Sequence, residues 1–305
     1  MNYLRYKKLY QSENDGTFWP GYIELPDEDD PSHINTNQEE KSFYSSNPRI
    51  VTGVVLLILV AVMFLIKTTA FILLIIVSLI ATKEWFDMFE YEKILPYPLL
   101  LYAALAPLIV IYFYGLNNLH VPYLIFPIGV IVYTGTFVNY GIYDKFGSSF
   151  LFLIWFGTGL ASIGFLLNNF GPLFTFLLLI SISINDVAAY EFGRRYGKRK
   201  LSQDISPNKT VEGFVSGLFF GTVVVFFILN YFLDVTFVQK ILISFIFIIF
   251  GTLGDLFESK IKRSIELKDT STLLPGHGGV LDRIDSQLLS FPILVLLIHF
   301  LDLIQ

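Results

Sequence analysis

Apolar runs of about 18 residues or more recur from residue 50 to the C-terminal end, each long enough to cross a hydrocarbon core. A chain of 305 residues built this way reads as an all-α polytopic integral membrane protein. The net charge of -5 comes largely from the acidic N-terminal segment, so it says little about partners, and nucleic acid is not expected among them. There is no cysteine, which excludes disulfides, thiolate metal sites and thiol catalysis. Any metal must therefore be held by oxygen or imidazole.

Two divisions are expected. Residues 1–46, with "LPDEDDPSHINTNQEEKS", form an acidic, flexible cytoplasmic extension that lacks the apolar core of a signal peptide. Residues 47–305 form the transmembrane domain, for which hydropathy places nine spans near 50–66, 68–86, 96–115, 121–138, 149–168, 171–190, 214–233, 237–257 and 286–304. Only Lys67 and its neighbours separate the first pair. With nine spans and a cytoplasmic N-terminus, all but Lys67 and Lys240 of the 21 lysines and arginines face inward. That bias puts both polar loops, 191–213 and 258–285, on the cytoplasmic face. The expected location is an inner (plasma) membrane of bacterial type.

Two stretches break the lipid-facing composition. "NDVAAYEFGRRYGKRKLSQDISPNKTVEG", residues 185–213, begins within the sixth span with Asp186; "GTLGDLFESKIKR" carries Asp255 at the end of the eighth. A carboxylate at that depth is costly in lipid unless it faces protein, water or a cation. On a continuing helix Asp255, Ser259, Lys262 and Arg263 share one face, with Arg263 expected nearest the carboxylates and Lys262 at the edge. Asp282 and Asp285, three apart, point the same way. Carboxylates beside Lys and Arg suggest a hard divalent cation such as Mg2+, shared with a phosphate ligand. Between them, Gly276, Gly278 and Gly279 of "LPGHGG" permit backbone N–H groups to cradle an anion. The parts describe a phosphate site at the membrane surface.

Structural alternatives weigh differently on each feature. "GHGG" alone is more often a turn, and an Asp-x-x-Asp pair is usually a solvated helix face. Lys198, Arg199 and Lys200 are equally well an anchor at lipid headgroups. His277 reads as structural or as a hydrogen-bonding group of its loop. A structural account of Asp186 and Asp255 must explain a buried acid in each of two spans, which favours function.

The run from Ser259 to Asp285, "SKIKRSIELKDTSTLLPGHGGVLDRID", resembles the signature of the phosphatidate cytidylyltransferases, or CDP-diacylglycerol synthases. Asp186 with Ala189, Tyr190, Gly193 and Arg194, then "SPNKTVEG" and "GDLFES", resemble other blocks of that family in the same order. Val211 stands where tryptophan is expected, and the family does not require the acidic extension. The resemblance implies that CTP and phosphatidate give CDP-diacylglycerol and pyrophosphate, with Mg2+ required, in phospholipid biosynthesis.

Under that reading Asp255 and Asp285, with Asp282 assisting and Asp186 as a weaker candidate, hold one Mg2+ or a pair of cations. Lys209, Lys262 and Arg263 neutralise phosphate charge and, with Asp282, form the expected catalytic set. Ser206, Thr210 and Ser259 offer hydroxyls; Lys268, His277, Gly278 and Gly279 complete the expected substrate-binding set. CTP, phosphatidate and membrane lipid are the expected partners, with a homodimer as a further candidate. Rival readings are a CDP-archaeol-type synthase or a CTP-dependent polyprenol or lipid kinase, a transporter, and a structural membrane protein. The charges cluster at one face and no inverted repeat is visible, which counts against transport.

Overall fold

The computed structural model describes residues 51–89, 97–114, 142–202 and 206–301. All belong to the unit Asn47–Gln305. The acidic extension and the span expected at 121–138 lie outside the described residues. In chain order the elements are α1 (Val51–Met63), α2 (Lys67–Met88), α3 (Tyr97–Tyr114), α4 (Ile142–Phe152), a π turn (Leu153–Gly157) and α5 (Thr158–Asn169). Then come α6 (Pro172–Tyr196), β1 (Lys200–Ser202), β2 (Ser206–Thr210), α7 (Val211–Phe232), α8 (Phe237–Ser264) and α9 (Leu281–Phe300).

Among the described residues, five helical stretches are long and apolar enough to cross a membrane: Lys67–Met88, Gly147–Asn169, Pro172–Tyr196, Val211–Phe232 and Phe237–Ser264. Each coincides with one of the nine predicted spans. The first predicted span appears as the shorter α1, and the ninth as α9, whose first turn is polar. The expected all-α class needs one correction, because β1 and β2 form an antiparallel pair between α6 and α7. Its sequence, polar and interrupted by Pro207, carries none of the alternating apolar pattern by which strands are read.

Local chemistry sets the helix boundaries that matter for the site. Thr210 caps α7 by accepting a hydrogen bond from the Gly213 N–H at 3.1 Å, so the hairpin ends where the helix begins. Thr236 and Gln239 form a reciprocal capping box at the start of α8. α6 packs along α7, and α8 along both α7 and α9.

Two glycines let these helices approach closely. A β-carbon at Gly217 of α7 would stand 2.7 Å from the Asn185 carbonyl oxygen of α6. One at Gly254 of α8 would stand 2.7 Å from the Asp285 carbonyl oxygen of α9, so the residue next to Asp255 lies directly against the backbone that carries Asp285. The interior between helices is filled by large side chains, among them Trp85, Phe152, Phe156, Phe247 and Phe291, all fully buried. Trp85 packs on Phe152 and Trp155 with centroids 5.3 and 6.0 Å apart, fixing α2 to the π turn.

This packing predicts that Gly217→Ala lowers stability by about 1–3 kcal/mol, the usual cost of overpacking. Gly147→Ala, whose new methyl would meet nothing within 4 Å, is the control and should hold or raise stability. Thermal unfolding of both variants in one detergent checks the pair.

Candidate active site

The two polar stretches meet at one end of the bundle, where α6 and α8 finish and α7 and α9 begin. They enclose a cavity of about 820 Å³ lined by Asp186 from α6, Asp255 from α8, and Asp282 and Asp285 from α9. Arg194, Lys200, Lys209, Thr210 and Arg283 line it as well. Lys209 of β2 donates a hydrogen bond to Asp255 Oδ2 and is its ion-pair partner. Ser259 lies one turn along α8 with its hydroxyl 3.4 Å from Asp255 Oδ1. Asp186 accepts a hydrogen bond from Asn185 Nδ2 at 3.0 Å, and Asp285 accepts one from the Ser286 N–H at 2.6 Å. The charges of Asp186, Asp255 and Asp285 act on one another across this space.

Beside the cavity the loop 265–280 is folded around a carboxylate. Asp282 Oδ2 accepts hydrogen bonds from the Gly279 N–H at 2.7 Å and from the Thr270 N–H and Oγ1, both at 2.9 Å. Its Oδ1 accepts from Lys262 Nζ. Lys262 is only 7% exposed and also stands 3.6 Å from the fully buried Glu258. Burial works against the charge on Asp282, but Lys262 and the loop N–H groups outweigh it and hold the carboxyl below its ordinary value of 3.8. The stability this contributes is present above pH of about 4 and is lost as the pH falls through the depressed value.

The structure thus brings together some of the expected residues and separates others. Asp186, Asp255, Asp282, Asp285, Lys209 and Thr210 line one cavity. Arg263 does not face the carboxylates: it is exposed, and its guanidinium donates to the Leu267 carbonyl at 3.0 Å. The reason is helical phase. At 100° per residue, Lys262 lies about 20° from the direction of Asp255 and Arg263 about 80°. Lys262 therefore takes the inward place expected for Arg263.

Gly279 directs its N–H at Asp282, and the Gly278 carbonyl accepts from the Leu274 N–H, so the anion cradled by this loop is the protein's own carboxylate. Lys268 is exposed, and His277 holds its ring near Pro275 and Gly53, away from the residues that line the cavity. The side chain of Ser206 lies outside the described residues.

Four groups escaped the sequence reading as site residues: Arg194 and Arg283 in the cavity wall, and the acids Glu258 and Glu84. The two acids carry a signal that was there to use, an ionisable side chain inside an apolar helix.

A profile of the cytidylyltransferase family matches residues 47–301. The chain belongs to the cytidylyltransferase family. Among curated relatives it is similar to the phosphatidate cytidylyltransferase of Bacillus subtilis (strain 168), with 43% identity over 133 residues, 43% of this chain and 49% of that protein. It is also similar to the phosphatidate cytidylyltransferase of Staphylococcus aureus (strain COL), with 45% identity over 128 residues, 41% of this chain and 48% of that protein. The chain thus spans about half the length of the curated relatives it matches. The family resemblance read from Ser259 to Asp285 is confirmed.

Among the described residues, no group of three or more His, Asp or Glu side chains is arranged to hold a metal ion as the side chains stand. The donor chemistry of this cavity nevertheless fits Mg2+, which is usually bound by one or two carboxylates, with substrate phosphates and water completing its shell. Asp186, Asp255 and Asp285 offer such oxygens into the cavity. Asp282 fits poorly, because both of its oxygens are engaged by Lys262 and the loop.

Removing Lys262 leaves Asp282 without its buried countercharge. Lys262→Met is therefore expected to cost about 3–5 kcal/mol, as breaking a buried pair from one side does. Arg263→Met removes one exposed backbone hydrogen bond and should cost about 1 kcal/mol or less. Thermal unfolding in detergent compares them, and equal losses would count against the inward placement of Lys262.

Proposed function

We propose that this chain transfers CMP from CTP to phosphatidate, giving CDP-diacylglycerol and pyrophosphate. The observation that carries the reading is the convergence of Asp186, Asp255, Asp285 and Lys209, from four elements, on one cavity within a cytidylyltransferase fold. In the reaction a phosphatidate phosphate oxygen attacks the α-phosphorus of CTP in line. The bond to the β-phosphate bridging oxygen breaks, and pyrophosphate leaves with that electron pair. No protein nucleophile is required.

The side chains divide this work. Lys209, Arg194, Lys200 and Arg283, which line the cavity, would meet phosphate oxygens, and Thr210 would offer a hydroxyl there. Asp255 and Asp285, joined by Asp186, are the residues that would hold Mg2+. Bound there, the cation would supply neutralisation of the charge that accumulates on the departing pyrophosphate. Lys262 and Asp282 keep the first turn of α9 in register, so that Asp285 opens on the cavity. Substrate acyl chains remain in the bilayer and enter between helices. The site faces the cytoplasm, on the strength of the lysine and arginine bias.

Purified protein in detergent, given phosphatidate, labelled CTP and Mg2+, is expected to form a chloroform-soluble CDP-lipid. Absence of that product with any divalent cation would sink the reading. Asp255→Asn and Asp285→Asn, nearly isosteric, are each expected to lower turnover by about a hundredfold or more while the protein stays folded. Near-wild-type turnover at limiting Mg2+ would remove that residue from the proposed metal site.

A further inference from the structure

Glu84 sits in the last two turns of α2 and is 5% exposed. Among the described residues, each group that hydrogen-bonds its carboxylate is a donor. Oε1 accepts from the Val280 N–H at 2.9 Å and the Ser271 hydroxyl at 2.7 Å; Oε2 accepts from the Leu281 N–H at 2.8 Å. The Thr270 hydroxyl is 3.4 Å from Oε2, but it has one proton and lies closer to Asp282, at 2.9 Å. Val280 opens α9 with no side-chain cap of its own. A buried anion from another helix thus supplies what a capping residue normally would, taking the free N–H groups and complementing the helix dipole.

The loop is shaped to admit it. A β-carbon at Gly279 would stand 2.7 Å from both Glu84 oxygens and would collide with Thr270, so this position passes between the carboxylates of Glu84 and Asp282 only as glycine. The next residue of α2, Trp85, is fully buried against the π turn, which gives the carboxylate a fixed base.

We propose that Glu84 is a positioning residue for nucleotidyl transfer. It pins residues 270–281 to α2 and so sets where the first turn of α9 presents Asp282 and Asp285 to the cavity. The inference rests on the cytidylyltransferase reading. Glu84 does not line the cavity and acts through these neighbours.

The test compares Glu84→Gln, Glu84→Asp and Ser271→Ala in the full chain. An amide faces donors on both of its sides, so Gln must set its own NH2 against an N–H or hydroxyl whichever way it is turned. Turnover in Glu84→Gln is expected to fall by about ten- to a hundredfold, the scale of a misplacement of about 1 Å, with KM for CTP changed far less. Hydrogen exchange of the amides of Thr270, Val280 and Leu281 should quicken in the same protein, while those of α6 and α7 stay unchanged. Glu84→Asp keeps the charge and should recover part of both properties; Ser271→Ala should shift both mildly in the same direction.

Lost turnover with unaltered exchange would overturn the proposal, since Glu84 would then act elsewhere. Faster exchange with turnover near wild type would overturn it too, because the tether would not govern the reaction. If Glu84→Gln fails to fold, Glu84→Asp and Ser271→Ala decide by the same two readouts. A wild-type chain that makes no CDP-lipid would defeat the catalytic reading on its own, and the exchange data would still decide whether Glu84 holds the loop.

Discussion

Charge withdrawn from water must be matched nearby, and the pairing of Lys262 with Asp282 is the match on which this site depends. Both side chains are largely buried at the point where α8 turns over into α9. Desolvating either alone would cost several kcal/mol, so each holds the other in place, and with them the loop that joins the helices. Asp282 then gathers Gly279 and Thr270, while Glu84 gathers Val280, Leu281 and Ser271. Two carboxylates, one local and one brought from α2, thus engage the N–H groups of Thr270, Gly279, Val280 and Leu281. What remains for a ligand is the other side of the first turn, where Asp285 faces Asp255 and Asp186.

That remaining space is set by how closely the helices pack. Gly254 lets α8 lie against the backbone at Asp285, and Gly217 lets α7 lie against α6 at Asn185, next to Asp186. A side chain at Gly254 would separate α8 from α9, which carry Asp255 and Asp285, and one at Gly217 would push α7 away from α6, which carries Asp186. Thr210 ties the same arrangement to the hairpin, because it ends β2, caps α7 and stands next to Lys209. The acids of the cavity therefore sit on helices, not on loops, which suits the proposed transfer, a reaction that depends on holding two phosphates in line.

Much of this was legible because membrane helices make charge conspicuous. Asp186 and Asp255 stood out as acids within apolar runs, and both line the cavity. The phase error at Lys262 and Arg263 was avoidable from the same arithmetic that grouped them, since seven residues return nearly to the starting direction and eight do not. Glu84 is different in kind. Its partners lie 186 to 197 residues away, so nothing in its own neighbourhood announces what it caps. Nor does a sequence say that a glycine-rich loop will turn its N–H groups onto its own aspartate, because that depends on whether Lys262 is buried beside it. The strand pair was hidden for a simpler reason: the sequence of residues 200–210 carries no alternating apolar pattern from which a period could be read.

The balance of charge in the cavity bears on what must enter with the substrates. Its walls carry four acids, Asp186, Asp255, Asp282 and Asp285, against four bases, Arg194, Lys200, Lys209 and Arg283. Lys262 answers Asp282 from behind the wall, and Lys209 is paired with Asp255. The side chains alone thus offer little net positive charge. A nucleoside triphosphate and a lipid phosphate would bring several negative charges into this space, and at a membrane surface the low dielectric on one side strengthens their repulsion. Oxygen ligands without excess positive charge are useful to such substrates only if a cation comes with them. This is the electrostatic ground for the proposal that Asp186, Asp255 and Asp285 would hold Mg2+ and the surrounding lysines and arginines would meet phosphate.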